Sequence, residues 1–236
     1  AKEAIANALT AKNKEIDDRT DLTQAEKDAA KAEAKKLADA ELAKVDAQPD
    51  NAETADAAAA AQKLVNAAED KGVADVTSVH PIAKEQAKQA VADELTKKEA
   101  EIDARTDLTD EEKTAAKAEA KVAADKAKEN VDKATTDAAV KEAETAGVSE
   151  VKAINPEAKA KPAAKKAIDD KLAEQLKTIE NTPDATDEEK KVAADAARAI
   201  AEQAKKEIDA AKSDAEVKAL EDEAKAEIEK SLPLVE

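Results

Sequence analysis

TDLTDEEK, from Thr106 to Lys113, occurs earlier in the chain as TDLTQAEK at Thr20 to Lys27 and later as PDATDEEK at Pro183 to Lys190. Each copy reads as a helix start. Thr23, Thr109 and Thr186 stand where an N-cap hydroxyl accepts from the backbone N–H three residues on. Glu26, Glu112 and Glu189 occupy that third position, from which a carboxylate reaches back to the cap's own N–H. Acidic residues crowd the first turn, as the positive end of the helix dipole favours. Three copies of one start signal predict three repeats.

Working outward from these caps, the copies align along the whole chain. Ala1-Lys2-Glu3-Ala4-Ile5 matches Ala87-Lys88-Gln89-Ala90-Val91 and Ala164-Lys165-Lys166-Ala167-Ile168, at offsets of 86 and 77 residues. In the same frames Leu9, Leu95 and Leu172 correspond, as do Ile16, Ile102 and Ile179, and Val45, Val131 and Ile208, each of the last three followed by Asp. These large apolar residues recur at matched places in an alanine background, which marks them as core. The repeats are expected at residues 1–80, 81–155 and 156–236.

Each repeat reads as three helices. The first keeps Ile5, Leu9 and Ile16 on one face and ends near Asp17, Asp103 or Glu180. The second runs from the threonine cap to about Ala47, Lys133 or Ala210, roughly 36 Å of helix. The third has caps at Ser213 with Glu216, at Thr136 and, in the first repeat, at Asp50 with Glu53. There the first repeat carries 11 extra residues, expected to lengthen the helix by three turns without rotating its face. Gly72 and Gly147 are expected inside this helix, because Val148, Val151 and Ile154 continue the stripe begun at Val140. It should stop at His80-Pro81, Asn155-Pro156 and Leu232-Pro233. The prolines are expected to open the next repeat's first helix, with Asn155 as a cap, and Pro162 to kink or delay that helix in the third repeat. No flexible linker separates the repeats, so they should be stiffly joined. Pairs such as Glu94/Lys98, Glu129/Lys133 and Glu221/Lys225 mark solvent faces.

Composition narrows the function classes. The 236 residues are 42% hydrophobic with no aromatic residue, Met or Cys, so Ala, Leu, Ile and Val must do all the burying. Such a core is thin, and helix propensity and close backbone approach must supply much of the stability. A net charge of -17 argues against nucleic acid and against anionic membrane surfaces as partners. No apolar run approaches the roughly 20 residues that span a bilayer. No sorting signal is visible, and the chain reads as an internal segment of something longer. A disordered acidic chain has similar numbers, but the caps and periodicity favour helix.

A first helix ending in an Asp-rich loop, Asp107-Leu108-Thr109 with Glu111-Glu112-Lys113, then Val131-Asp132 and a closing Ala153-Ile154-Asn155-Pro156 resemble a known family. It is the family of Ala-rich three-helix repeats, a domain of unknown function, in large cell-wall-anchored surface proteins of staphylococci, streptococci and lactobacilli. The resemblance covers essentially the whole chain and is best in the middle repeat. The third repeat loses the loop leucine, having Ala185, and the Asn-Pro, having Leu232-Pro233. The resemblance implies a fibrous, wall-anchored adhesin and brings no catalytic or ligand residue.

Candidate chemistry is sparse. Asp103-Ala104-Arg105-Thr106-Asp107 with Asp110 invites a calcium reading, but it lacks the order and glycine of an EF-hand and holds an arginine. A loop with a cap is preferred. His80, the sole histidine, reads as a helix-junction residue. No nucleophile-and-base set or phosphate loop is present, so no catalytic, cofactor or metal residue is assigned and no cofactor is expected. The expected fold is all-α: three tandem three-helix bundles joined end to end into an elongated rod. The expected function is a non-catalytic, extracellular, wall-anchored spacer, monomeric, whose partners are the neighbouring repeats, with no nucleic acid and no membrane insertion. The alternative is a helical binding module for a host matrix or plasma protein, against which the lack of aromatics counts.

Overall fold

In the computed structural model, which describes residues 1–235, the three threonines begin the helices expected of them. Nine α-helices and no strand are found among the described residues. In order they are α1 (Lys2–Asp17), α2 (Gln24–Asp46), α3 (Ala55–Thr77), α4 (Lys84–Asp103), α5 (Asp110–Lys133), α6 (Asp137–Lys152), α7 (Ala160–Glu180), α8 (Asp187–Ala210) and α9 (Asp214–Glu229). Thr23, Thr109 and Thr186 each accept from the N–H of the glutamate three residues on, and each glutamate accepts from the threonine's own N–H. The capping box is therefore complete in all three copies. Thr136 and Ser213 cap α6 and α9 through their hydroxyls.

Consecutive helices pack as tandem bundles, and the chain divides into two units. The first comprises Ala1–Ala92 with Lys126–Val148. In it α1, α2 and α3 pack on one another around Ile5, Ile16, Leu22, Ala38, Val76 and Val79. Ala87 of α4, Val131 of α5 and Val140 of α6 form a further core of the same unit. The second unit comprises Asp93–Asp125 and the residues from Ser149 onward. There Ile102, Leu108 and Ala116 pack with Ile154 and Ala158, while α7, α8 and α9 enclose Ile168, Ile179, Ile208, Val217 and Ile228.

One alanine stripe runs down the middle helix of every repeat. It is Ala30, Ala34 and Ala38 in α2, Ala116, Ala120, Ala124 and Ala127 in α5, and Ala193, Ala197, Ala201 and Ala204 in α8, all buried. The i, i+4, i+8, i+11 spacing keeps these methyl groups on one face, where small side chains let neighbouring backbones come close. The first repeat breaks the stripe at its fourth place with Glu41, which is only 2% exposed. Facing that place, the third helix has a glycine in the first two repeats and Ala224 in the third. A Cβ on Gly147 would lie 2.3 Å from the Cβ of Ala127, and one on Gly72 would meet Ile5 at 3.0 Å and the Glu41 Cβ at 3.1 Å. The helices run on through both glycines, and their cost of about 1 kcal/mol in helix propensity is offset by this close approach.

Three expectations need correction. The prolines do not open helices: α3 ends at Thr77 and α4 begins at Lys84, while α6 ends at Lys152 and α7 at Ala160 starts well past Pro156. The intervening segments are packed rather than slack, since Val79 is buried and Ile82, Ala83, Ile154 and Ala158 sit against core clusters. A residue before proline is pushed away from helical backbone angles, which keeps helix off His80 and Asn155. Pro162 is the third residue of α7, where the N–H it lacks has no partner within the helix anyway. The cap of α3 is Thr54, which accepts from the Ala57 N–H at 3.0 Å, and not Asp50. So α3, at 23 residues against 16 for α6 and for α9, gains two turns, and the other added residues lengthen the loop before it. Lys98 is also not on a solvent face. It is 7% exposed and donates to the carbonyls of Lys152 at 2.9 Å and Ile154 at 2.8 Å, capping the end of α6.

Candidate functional site: the junctions between repeats

The first helix of a repeat begins with N–H groups that no side chain of its own cap satisfies. Lys159, the N-cap of α7, makes no side-chain cap bond. The missing acceptor comes from the preceding repeat. Glu112 uses Oε1 for the Thr109 N–H at 2.9 Å, and its Oε2 accepts from Lys159 N at 2.9 Å and Ala160 N at 3.1 Å. Glu26 does the same one repeat earlier. Its Oε1 takes the Thr23 N–H at 3.0 Å, and its Oε2 takes Lys84 N at 3.0 Å and Glu85 N at 3.2 Å. One carboxylate thus caps two helices, its own and the next repeat's first. Burial pushes the Glu112 pKa up, but the backbone N–H groups of Thr109, Lys159 and Ala160 outweigh it and hold the pKa below the ordinary glutamate value.

The loop before each cap is fastened to the same segment. Arg19 grips Asp21 with two bonds, at 2.8 and 2.7 Å, and donates to the Pro81 carbonyl at 2.8 Å. Arg105 grips Asp107 with two bonds at 2.8 Å and reaches Asn155 Oδ1 at 3.3 Å. The guanidinium hydrogen bonds hold Asp21 and Asp107 below the usual carboxylate range. Leu22 and Leu108 beside them are buried. Lys161, 3% exposed, ties Thr106 O at 3.0 Å to Asp209 O at 2.8 Å, joining the second repeat's loop to the end of α8. Glu111 Oε2 accepts from Asp214 N at 3.0 Å, and Asp110 N donates to Lys212 O at 2.7 Å. At the earlier junction His80 Nε2 lies 2.6 Å from Asp137 Oδ2, so the histidine sits at a junction with a carboxylate partner.

The acidic loop read as a calcium candidate is occupied by the chain's own cations. Asp107 belongs to Arg105, and Asp103 pairs with Lys117 at 2.9 Å and accepts from Lys113 at its carbonyl. Among the described residues no group of three or more His, Asp or Glu side chains is placed to hold a metal. No helix among the described residues is long and apolar enough to cross a membrane. In the third copy Thr182 stands where Arg105 stands in the second and Ala185 where Leu108 stands, and Asp184 turns the backbone at a φ of 66°. Asp tolerates that left-handed conformation better than most residues.

Sequence reasoning missed three groups. Lys98 and Gln175 occupy matched positions in α4 and α7, and both donate to carbonyls at the end of their repeat's third helix, Gln175 to Ser231 O at 2.7 Å. Their signal was a long polar residue on the apolar stripe, as at Lys12 between Leu9 and Ile16. Lys161 gave no such signal. Nor did the second oxygen of Glu26 and Glu112, because the capping box accounts for only one.

A family model described as Domain of Unknown Function (DUF1542) matches the chain twice, over residues 83–159 and 160–236. The two matches meet at Ala160, the first residue of α7. No curated protein and no solved structure matches.

Proposed function

The chain belongs to the DUF1542 family, and from that premise we propose that it is a non-catalytic spacer, a stiff run of helical repeats in a bacterial cell-surface fibre that holds an adhesive domain away from the wall. The observation that carries the reading is the junction. Two successive junctions use the same glutamate, with the same pair of backbone acceptances, and the same arginine–aspartate grip. Repeats that contact only their neighbours give a length that scales with copy number. A net charge of -17 keeps neighbouring fibres soluble and apart. The extracellular, wall-anchored, Gram-positive setting and the monomeric state are part of the proposal and rest on the sequence resemblance.

The competing reading is a helical module that recognises a host matrix or plasma protein. Incubating the immobilised 236-residue chain with plasma and with matrix extract separates the two. The spacer reading expects no stoichiometric partner after washing at physiological salt. A single protein retained at one copy per chain, and competed off by free chain, would reverse the ranking.

A further inference from the structure

We infer that Glu26 and Glu112 are the residues that lock successive repeats to one another, by lending one carboxylate to two helix N-termini across each junction. The inference deepens the spacer reading and rests on it for its consequence, though not for its geometry. Neither α4 nor α7 begins at a proline, and α7 has no side-chain cap of its own. Helix N-termini carry N–H groups without internal partners, so a first helix built this way is incomplete in isolation. The Oε2 atom supplies two of the missing acceptances at each junction, at 3.0 and 3.2 Å from Glu26 and at 2.9 and 3.1 Å from Glu112.

The carboxylate is the right group for this task. A glutamine at the same place keeps the capping box, which accepts either Glu or Gln, but its amide nitrogen offers no acceptor to the second helix. Glu112→Gln therefore removes the bonds across the junction and spares the start of α5. The surrounding contacts cannot substitute. Arg105 donates to Asn155 and Lys161 donates to Thr106, so neither provides an acceptor for the N–H groups of Lys159 and Ala160.

The test is amide hydrogen exchange on the full chain, comparing Glu112→Gln and Glu26→Gln with the parent. In Glu112→Gln the Lys159 and Ala160 amides should exchange about tenfold faster, with the Glu112 amide, which donates to Thr109 Oγ1, unchanged. In Glu26→Gln the Lys84 and Glu85 amides should respond alike, and those of Lys159 and Ala160 should not. Equal exchange in parent and variants would overturn the shared cap. The same preparations carry spin labels at Val122 and Val192, two exposed positions, in a chain without native cysteine. A distance distribution that is narrow in the parent and clearly broader in Glu112→Gln ties the cap to stiffness. A width that does not change on substitution would overturn the locking role. A distribution already broad in the parent, with the exchange result intact, would leave the shared cap standing and sink the stiff-spacer reading instead.

Discussion

Ile208→Ala should cost the chain about 2–5 kcal/mol, more than any substitution of a surface residue. Ile208 is fully buried in α8, in the cluster formed with Ile168, Ile179, Val217 and Ile228. Most of the other buried residues there are alanines, at 164, 193, 197, 201, 204, 211 and 224. An alanine has no side chain beyond its methyl group with which to collapse into a cavity. The void left by removing three carbons should therefore persist, and the cost should fall toward the upper part of the range for Ile→Ala. Urea unfolding followed by circular dichroism reads it directly, as a lower midpoint at unchanged slope. A loss below about 1 kcal/mol would mean that α7, α8 and α9 close over the gap, and that the few large residues are not what holds the bundle.

The second large effect has the opposite sign. Glu41→Ala should stabilise the first repeat by about 1–2 kcal/mol. Glu41 takes the fourth place of the α2 stripe, where the other repeats have Ala127 and Ala204. Its Oε1 pairs with Lys44 at 2.9 Å and Lys71 at 3.5 Å, both 58% exposed, and pairing with such solvated ammonium groups only partly offsets the desolvation of a buried carboxylate. Its Oε2 is buried without a protein partner, and an unsatisfied buried acceptor costs about 1–3 kcal/mol. Alanine removes that cost and restores the stripe that α5 and α8 already use. The same urea measurement should show a higher midpoint. A destabilised Glu41→Ala chain would mean that the part of the Glu41 side chain beyond Cβ, through its packing or its pairs with Lys44 and Lys71, holds α2 against α3.

The fold was readable in the sequence wherever one local signal determined one local structure. The threonine–glutamate boxes placed the starts of α2, α5 and α8, and the matched isoleucines marked buried positions, as Ile16, Ile102 and Ile179 show. The passage of α3 and α6 through Gly72 and Gly147 followed from a stripe that continued past the glycines. What failed were the starts read at His80-Pro81, at Asn155-Pro156 and at Asp50, where the nearest candidate cap is not the one the helix uses. Asn155-Pro156 looks like a cap and a first helical residue, yet α7 begins at Ala160 because its cap is Glu112, 48 residues earlier in the chain. Asp50 looks like a cap, but Thr54 competes four residues later and wins. Buried Lys161 was illegible for a related reason, which also masked Lys98 despite its place on the apolar stripe. A charge-rich helix supplies an i, i+4 partner for almost any lysine, and only the packed structure shows which ones turn inward to carbonyls.

Small-angle X-ray scattering on the 236-residue chain tests the spacer account most directly. Three bundles placed end to end, each about 36 Å long, make a rod of roughly 110 Å with a radius of gyration a little above 30 Å, and that is the value the account predicts. An unfolded chain of this length would give about 53 Å. A value near 17–18 Å, that of a globule of the same length, would contradict the account and mean that the repeats fold back on one another.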